Sequence, residues 1–92
     1  MVLENIDLVI QGKFTEYVEE LIDHYKQLRY IDSVIIADFE DGIVPKKREY
    51  LVHTTVPRPD DEGTGNRNLQ IATSYAGLKK VKTRYAIKLR SD

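Results

Sequence analysis

From Ile6 to Gln11 the chain reads Ile-Asp-Leu-Val-Ile-Gln, a short aliphatic and β-branched run closed by Gly12, which predicts a buried first strand. The spacing then changes. Phe14, Tyr17, Val18, Leu21, Ile22, Tyr25 and Leu28 recur at intervals of three and four, which places them on one face of a helix from about Thr15 to Arg29. Thr15 offers a hydroxyl to cap that helix. Glu16, Glu19 and Glu20 in its first turns, with Lys26 and Arg29 in its last, match the polarity of a helix dipole.

Ser33 to Ala37 is a continuous apolar run followed by Asp38, the pattern of a strand covered on both faces, as in a parallel sheet. Phe39 to Glu49 carries Asp41-Gly42, Pro45 and the basic triplet Lys46-Lys47-Arg48, and predicts a loop. Tyr50 to Thr55 is a third strand. Val56 to Gly65, with Pro57, Pro59, Gly63, Gly65 and the acids Asp60-Asp61-Glu62, has the composition of a surface loop able to carry a ligand. A second helix runs from Asn66 or Arg67 to about Lys82, its apolar side formed by Leu69, Ile71, Ala72, Tyr75, Ala76, Leu78 and Val81. Gly77 costs that helix about 1 kcal/mol relative to Ala, which implies close packing of its backbone on the sheet. Tyr85 to Leu89 is a fourth strand, succeeded by Arg90-Ser91-Asp92.

The order β-α-β-β-α-β fits two α/β architectures: a mostly parallel, three-layer open sheet, or a ferredoxin-like sandwich acting as a binding or interaction module. The strand patterns favour the first. Leu8-Val9-Ile10 and Val34-Ile35-Ile36-Ala37 do not alternate as strands with one wet face do, and Phe39 to Glu49 is long for a hairpin connection.

Ninety-two residues suffice for one domain with one core, and 41% hydrophobic with 32% charged residues is the balance of a folded domain rather than a disordered tail. A net charge of -1 gives no global field toward nucleic acid or anionic membrane. Without cysteine there is no disulfide framework and no thiolate nucleophile. The start lacks a basic and apolar leader and no run is long enough to span a bilayer, so the expected compartment is the cytoplasm.

In the parallel reading the polar residues gather at one end of the sheet. Gln11 and Gly12 come after the first strand, Asp38 after the second, His53 to Arg58 after the third, and Arg90 to Asp92 after the fourth. The second helix opens on Asn66-Arg67-Asn68, whose unpaired amides and cation suit a phosphate. Asp38 suits ribose or base hydrogen bonding, and Asp92 suits a hard divalent ion on a diphosphate. That set predicts a nucleotide site. His24 and His53 have no partner at ligand spacing, and Lys46-Lys47-Arg48 with Lys79, Lys80, Lys82 and Arg84 lack the aromatic stacking signature of a nucleic-acid surface.

Asp7-Leu8-Val9-Ile10-Gln11-Gly12, Val34-Ile35-Ile36-Ala37, and above all Asn68-Leu69-Gln70-Ile71-Ala72-Thr73-Ser74 through Gly77-Leu78 to Lys88-Leu89-Arg90-Ser91-Asp92 resemble the WavE lipopolysaccharide-synthesis family, which is similar to glycosyltransferases of the GT-A type. The resemblance covers most of the chain and aligns with the start of such enzymes. It implies a fold binding a nucleoside-diphosphate sugar at the strand ends, with Gln11 near the base, Asp38 near base or ribose, Arg67 near base or phosphate, and Asp92 at a divalent ion, manganese or magnesium. The chain departs from the Asp-x-Asp metal motif in carrying Arg90 where the first acid stands, so Arg90 can neutralise phosphate directly. In such enzymes the acceptor site and general base normally come from the portion beyond the metal motif, so the expectation is a nucleotide-binding part that does not transfer sugar by itself. An uncovered edge at the fourth strand further predicts association into a homo-oligomer.

Overall fold

The computed structural model describes residues 5–40, 43–58, 60–61, 63 and 67–91. Six elements succeed one another: β1 (Ile6–Gln11), α1 (Glu16–Lys26), β2 (Ile31–Phe39), β3 (Leu51–Val56), α2 (Arg67–Leu78) and β4 (Tyr85–Arg90). The four strands form one sheet in the order β3-β2-β1-β4, and all three pairings are parallel. This excludes the ferredoxin-like arrangement, whose sheet is antiparallel.

Side-chain alternation assigns each face to a helix. Leu8 and Ile10 of β1, with Val34 and Ile36 of β2, point to one side and pack with Phe14, Val18 and Ile22 of the α1 region and with Ile31 in the main core. Burying an aliphatic side chain of this size contributes about 1.5–3 kcal/mol, so the two central strands dominate the fold's stability. Val9, Ile35 and Ala37 point to the other side, where α2 lies. A Cβ placed on Gly77 would come within 2.6 Å of Val9 Cγ1 and 3.2 Å of Ala37 Cβ, so the helix backbone rests almost directly on the sheet. The α2 face differs from the expected one for this reason. Its buried residues are the small ones, Thr73, Ala76 and Gly77, while Ile71, Tyr75 and Leu78 are exposed.

Element ends are set by identifiable hydrogen bonds. The Thr15 hydroxyl accepts from Val18 N–H and caps α1 as expected, whereas the helix stops at Lys26, where i→i+3 bonds from Gln27 to His24 and from Leu28 to Tyr25 tighten the final turn. The second helix ends at Leu78, short of Lys82: the bonds from Lys80 N–H to the Gly77 carbonyl and from Val81 N–H to the Leu78 carbonyl tighten its last turn, and Asp7 on β1 takes the amides that follow. Its carboxylate accepts from Lys82 N–H (2.7 Å), Thr83 N–H (3.3 Å) and the Ser33 hydroxyl (2.7 Å), while Asp7 N–H donates to Thr83 Oγ1 (2.9 Å). Burial opposes ionisation of this fully enclosed carboxyl. The donated bonds from Lys82, Ser33 and Thr83 outweigh that and hold its pKa below the usual aspartate value.

Away from the strand ends, the segment after β2 is clamped to α1. Arg48 donates to Asp23 (2.8 Å) and Glu19 (2.5 Å), and the Tyr50 hydroxyl donates to Asp23. No helix among the described residues is long and apolar enough to cross a membrane.

Candidate functional site

A parallel sheet directs all its carboxyl ends one way, and here they surround a cavity of about 410 Å3. Gln11 and Gly12 reach it from the end of β1, Phe39 from the end of β2, Arg58 from the segment after β3, and Arg90 and Ser91 from β4. Lys13 continues from Gly12, and Leu69, Gln70 and Thr73 of α2 form the remaining wall. The connection from β1 runs to one neighbour, β2, while its other neighbour, β4, is reached by crossover from β3. The cavity therefore sits where the winding of the sheet reverses, the position at which open α/β sheets hold ligands.

Local geometry is dictated by the residues. Gly12 has φ 112°, a conformation side chains rarely adopt, and an added Cβ would stand 2.6 Å from Ser91 Oγ. It is held there by N–H donation to the Ala37 carbonyl (3.0 Å), while the Gln11 carbonyl accepts from Ser91 N–H (2.9 Å). Gln11 is buried, and its side-chain oxygen accepts from the hydroxyls of Ser74 and Thr73. Lys88 Nζ donates in turn to Ser74 Oγ (3.2 Å). Gln11 thus ties β1 to α2 and shapes the cavity floor. Phe39 is buried beneath Arg58, whose guanidinium carbon lies 4.6 Å from the ring centroid.

The charge of the lining is one-sided. Lys13, Arg58 and Arg90 are cationic and no carboxylate lines the cavity among the described residues, in a chain whose net charge is -1. No histidine lines it either among the described residues.

Of the residues expected at the site, the structure brings Gln11, Gly12 and Arg90 together and leaves two apart. Asp38 lies inside β2 rather than after it, is buried on the α1 side, and accepts from Phe14 N–H (3.1 Å) and from its own neighbour Phe39 N–H (2.6 Å). Its carboxylate fixes the β1–α1 connection and does not line the cavity. Arg67 opens α2 but is exposed and outside the lining. Asp92, the expected metal ligand, and Asn66 lie outside the described residues. Sequence patterns do not single out Lys13 and Phe39, and reach Arg58 only as the last residue of the polar His53 to Arg58 segment; the position of Lys13 directly after the Gln11-Gly12 strand end is the one local signal that points to it.

No cluster of three or more acidic or histidine side chains that could hold a metal occurs among the described residues. The described part of the cavity lining is cationic and supplies none of the carboxylate oxygens that a hard divalent ion favours. Compared with family models, curated proteins and solved structures, the chain matches none.

Proposed function

We propose that the chain binds the diphosphate of a nucleoside-diphosphate sugar in the cavity at the carboxyl ends of β1, β2 and β4, as the nucleotide-binding part of a GT-A-like glycosyltransferase of the WavE type that builds lipopolysaccharide or another surface polysaccharide. The observation that carries the reading is the meeting of Lys13, Arg58 and Arg90 around one cavity with no acid among its described lining residues. Such a lining offers a polyanion charge-assisted hydrogen bonds from several sides, and guanidinium groups match phosphate geometry. The position at the reversal of the winding, and the resemblance of the Asn68 to Asp92 block, support the same assignment.

In this reading the cations meet the phosphates directly and a divalent ion is not required for binding. The reading assigns Arg58, stacked on Phe39, to one phosphate and Arg90, at the end of β4, to the other, since both line the cavity. Gly12 keeps the strand end free of a side chain where the ligand approaches. Asp38 and Arg67 have no ligand contact in it.

The test is the affinity of UDP and GDP for the native chain and for Arg58→Ala, Arg90→Ala and Arg67→Ala, with and without manganese. A charge-assisted hydrogen bond of about 1.5–3 kcal/mol corresponds to roughly a ten- to hundredfold loss for each of the first two variants. Arg67→Ala and manganese change little. Unchanged binding in Arg58→Ala and Arg90→Ala, or binding seen only with manganese, contradicts the proposal.

A further inference from the structure

The Gln11 side chain presents only one end of its amide to the cavity. Gln11 is 4% exposed, and its oxygen is taken up by α2, where it accepts from the hydroxyls of Ser74 and Thr73. Its nitrogen makes no hydrogen bond among the described residues. The one buried side-chain nitrogen or oxygen without a hydrogen bond among those residues is Nε2 of His53, so the Gln11 nitrogen is not enclosed as its oxygen is. Since Gln11 lines the cavity and is covered elsewhere, the cavity is where that nitrogen meets solvent. Which end of the amide faces which way is decided outside the cavity. Lys88 pairs with Val9, which puts it on the same face of the sheet as Gln11, and its Nζ donates to Ser74 Oγ (3.2 Å). An ammonium group can only donate. The Ser74 proton is repelled from it and turns to Gln11, where it selects the oxygen. Neither Ser74 nor Lys88 lines the cavity.

We propose that Ser74 and Lys88 are positioning residues for the cavity: they hold the Gln11 amide with its NH2 toward the ligand, so that Gln11 adds a neutral donor to the cationic ones of Lys13, Arg58 and Arg90. The inference rests on the nucleotide reading above and adds a rule of selection to it. Lysine and arginine donate and do not accept, and Gln11, with its oxygen engaged on α2, does the same. At these points the cavity takes an unprotonated oxygen and disfavours an N–H or O–H, whereas an amide free to turn over would take either. A phosphate oxygen and a carbonyl oxygen of a base both meet that requirement. Being oriented in advance, the amide gives up no rotational freedom when the ligand arrives, and the variants that release it lose both the hydrogen bond's full strength and its selectivity.

The side-chain NH2 resonances of Gln11, assigned by their loss in Gln11→Met, report the orientation directly. They are followed in the 15N-labelled native chain and in Ser74→Ala, Ser74→Thr and Lys88→Met, each checked for native circular dichroism, during titration with UDP, uridine and pyrophosphate. In the native chain UDP is expected to shift the Gln11 NH2 pair. A shift with uridine alone places a base carbonyl at Gln11, and a shift with pyrophosphate alone places a phosphate oxygen there. Ser74→Ala and Lys88→Met are expected to weaken UDP about three- to tenfold and to diminish the NH2 shift, and Ser74→Thr, which keeps the hydroxyl, to restore both. A purely structural role for Ser74 and Lys88 would leave the NH2 shift as it is in the native chain. UDP binding to the native chain without a change at the Gln11 NH2, or binding by Ser74→Ala and Lys88→Met that matches the native chain, overturns this inference and leaves the nucleotide reading standing. Absence of UDP binding by the native chain overturns both.

Discussion

Replacing Asp7 separates two ways in which a buried carboxylate holds a fold together. Its two oxygens serve three donors, the amides of Lys82 and Thr83 and the hydroxyl of Ser33, and so fix the turn between α2 and β4 onto the two central strands. In Asp7→Asn the remaining oxygen can still face the two amides, and the new NH2 can donate to Ser33, whose hydroxyl rotates. Only the charge assistance is lost, for about 1–2 kcal/mol. In Asp7→Ala the amides lose their acceptor, and at about 1–3 kcal/mol for each unsatisfied group, one of them held by the longer 3.3 Å bond, the loss is about 3–4 kcal/mol. A domain of this size has a total stability of about 5–10 kcal/mol, so Asp7→Ala lowers Tm by on the order of 15–25 °C. Urea denaturation and calorimetry measure both variants. The same carboxyl makes a pH prediction. Its pKa is depressed on folding, so its contribution is complete above the ordinary value of 3.8 and is lost as pH falls from there through the folded value. Asp7→Asn, which cannot titrate, must therefore show a shallower acid limb than the native chain. A loss below about 1 kcal/mol in Asp7→Ala, or equal losses in the two variants, would refute this account of the turn.

Gly77→Ala is expected to lose about 1–2 kcal/mol in urea denaturation, the overpacking against Val9 and Ala37 exceeding the ~1 kcal/mol gain in helix propensity. A stabilised variant would mean that α2 does not sit so close. Gly12→Ala combines an unfavourable φ with a Cβ against Ser91 Oγ, and is expected to weaken nucleotide affinity more than Arg67→Ala does, as read by titration calorimetry. The Arg48–Asp23–Tyr50 clamp is expected to loosen at both pH extremes. The hydrogen bond from Tyr50 and that from Arg48 depress the Asp23 pKa, so its share is lost as pH falls below 3.8, and the same bond to Asp23 raises the Tyr50 pKa, so that share is lost as pH climbs past 10. Amide exchange at residues 43–48 is the readout, and unchanged protection across pH or in Arg48→Ala would contradict it.

Much of the architecture was legible because the aliphatic runs at Leu8-Val9-Ile10 and Val34-Ile35-Ile36-Ala37 do not alternate, and the structure buries both runs in the centre of a parallel sheet. Two misreadings share a physical cause, which is that tertiary partners decide what local pattern cannot. Asp38 reads as the polar residue that ends a strand, yet β2 continues through it in register with Thr55 and Val56 of β3, and the Phe14 amide, distant in sequence, supplies the donor that lets its carboxylate be buried. The large residues Ile71, Tyr75 and Leu78 read as the buried side of α2, yet the close approach at Gly77 admits only small side chains beneath the helix. The site was legible where it lies on strand ends, at Gln11, Gly12 and Arg90. Phe39 and Arg58 meet across a stacking contact between segments that no spacing rule connects.

The central claim is that the cavity binds a nucleoside diphosphate through its cations. An amide NMR titration of the native chain with UDP, GDP and CMP, with and without manganese, tests it most directly. The account predicts saturable shifts concentrated at Gly12, Lys13, Arg58, Gln70 and Arg90, present without manganese and stronger for the diphosphates than for CMP. No shifts at millimolar ligand, or shifts confined to other faces of the sheet, would contradict it and bring forward a role in protein interaction without nucleotide.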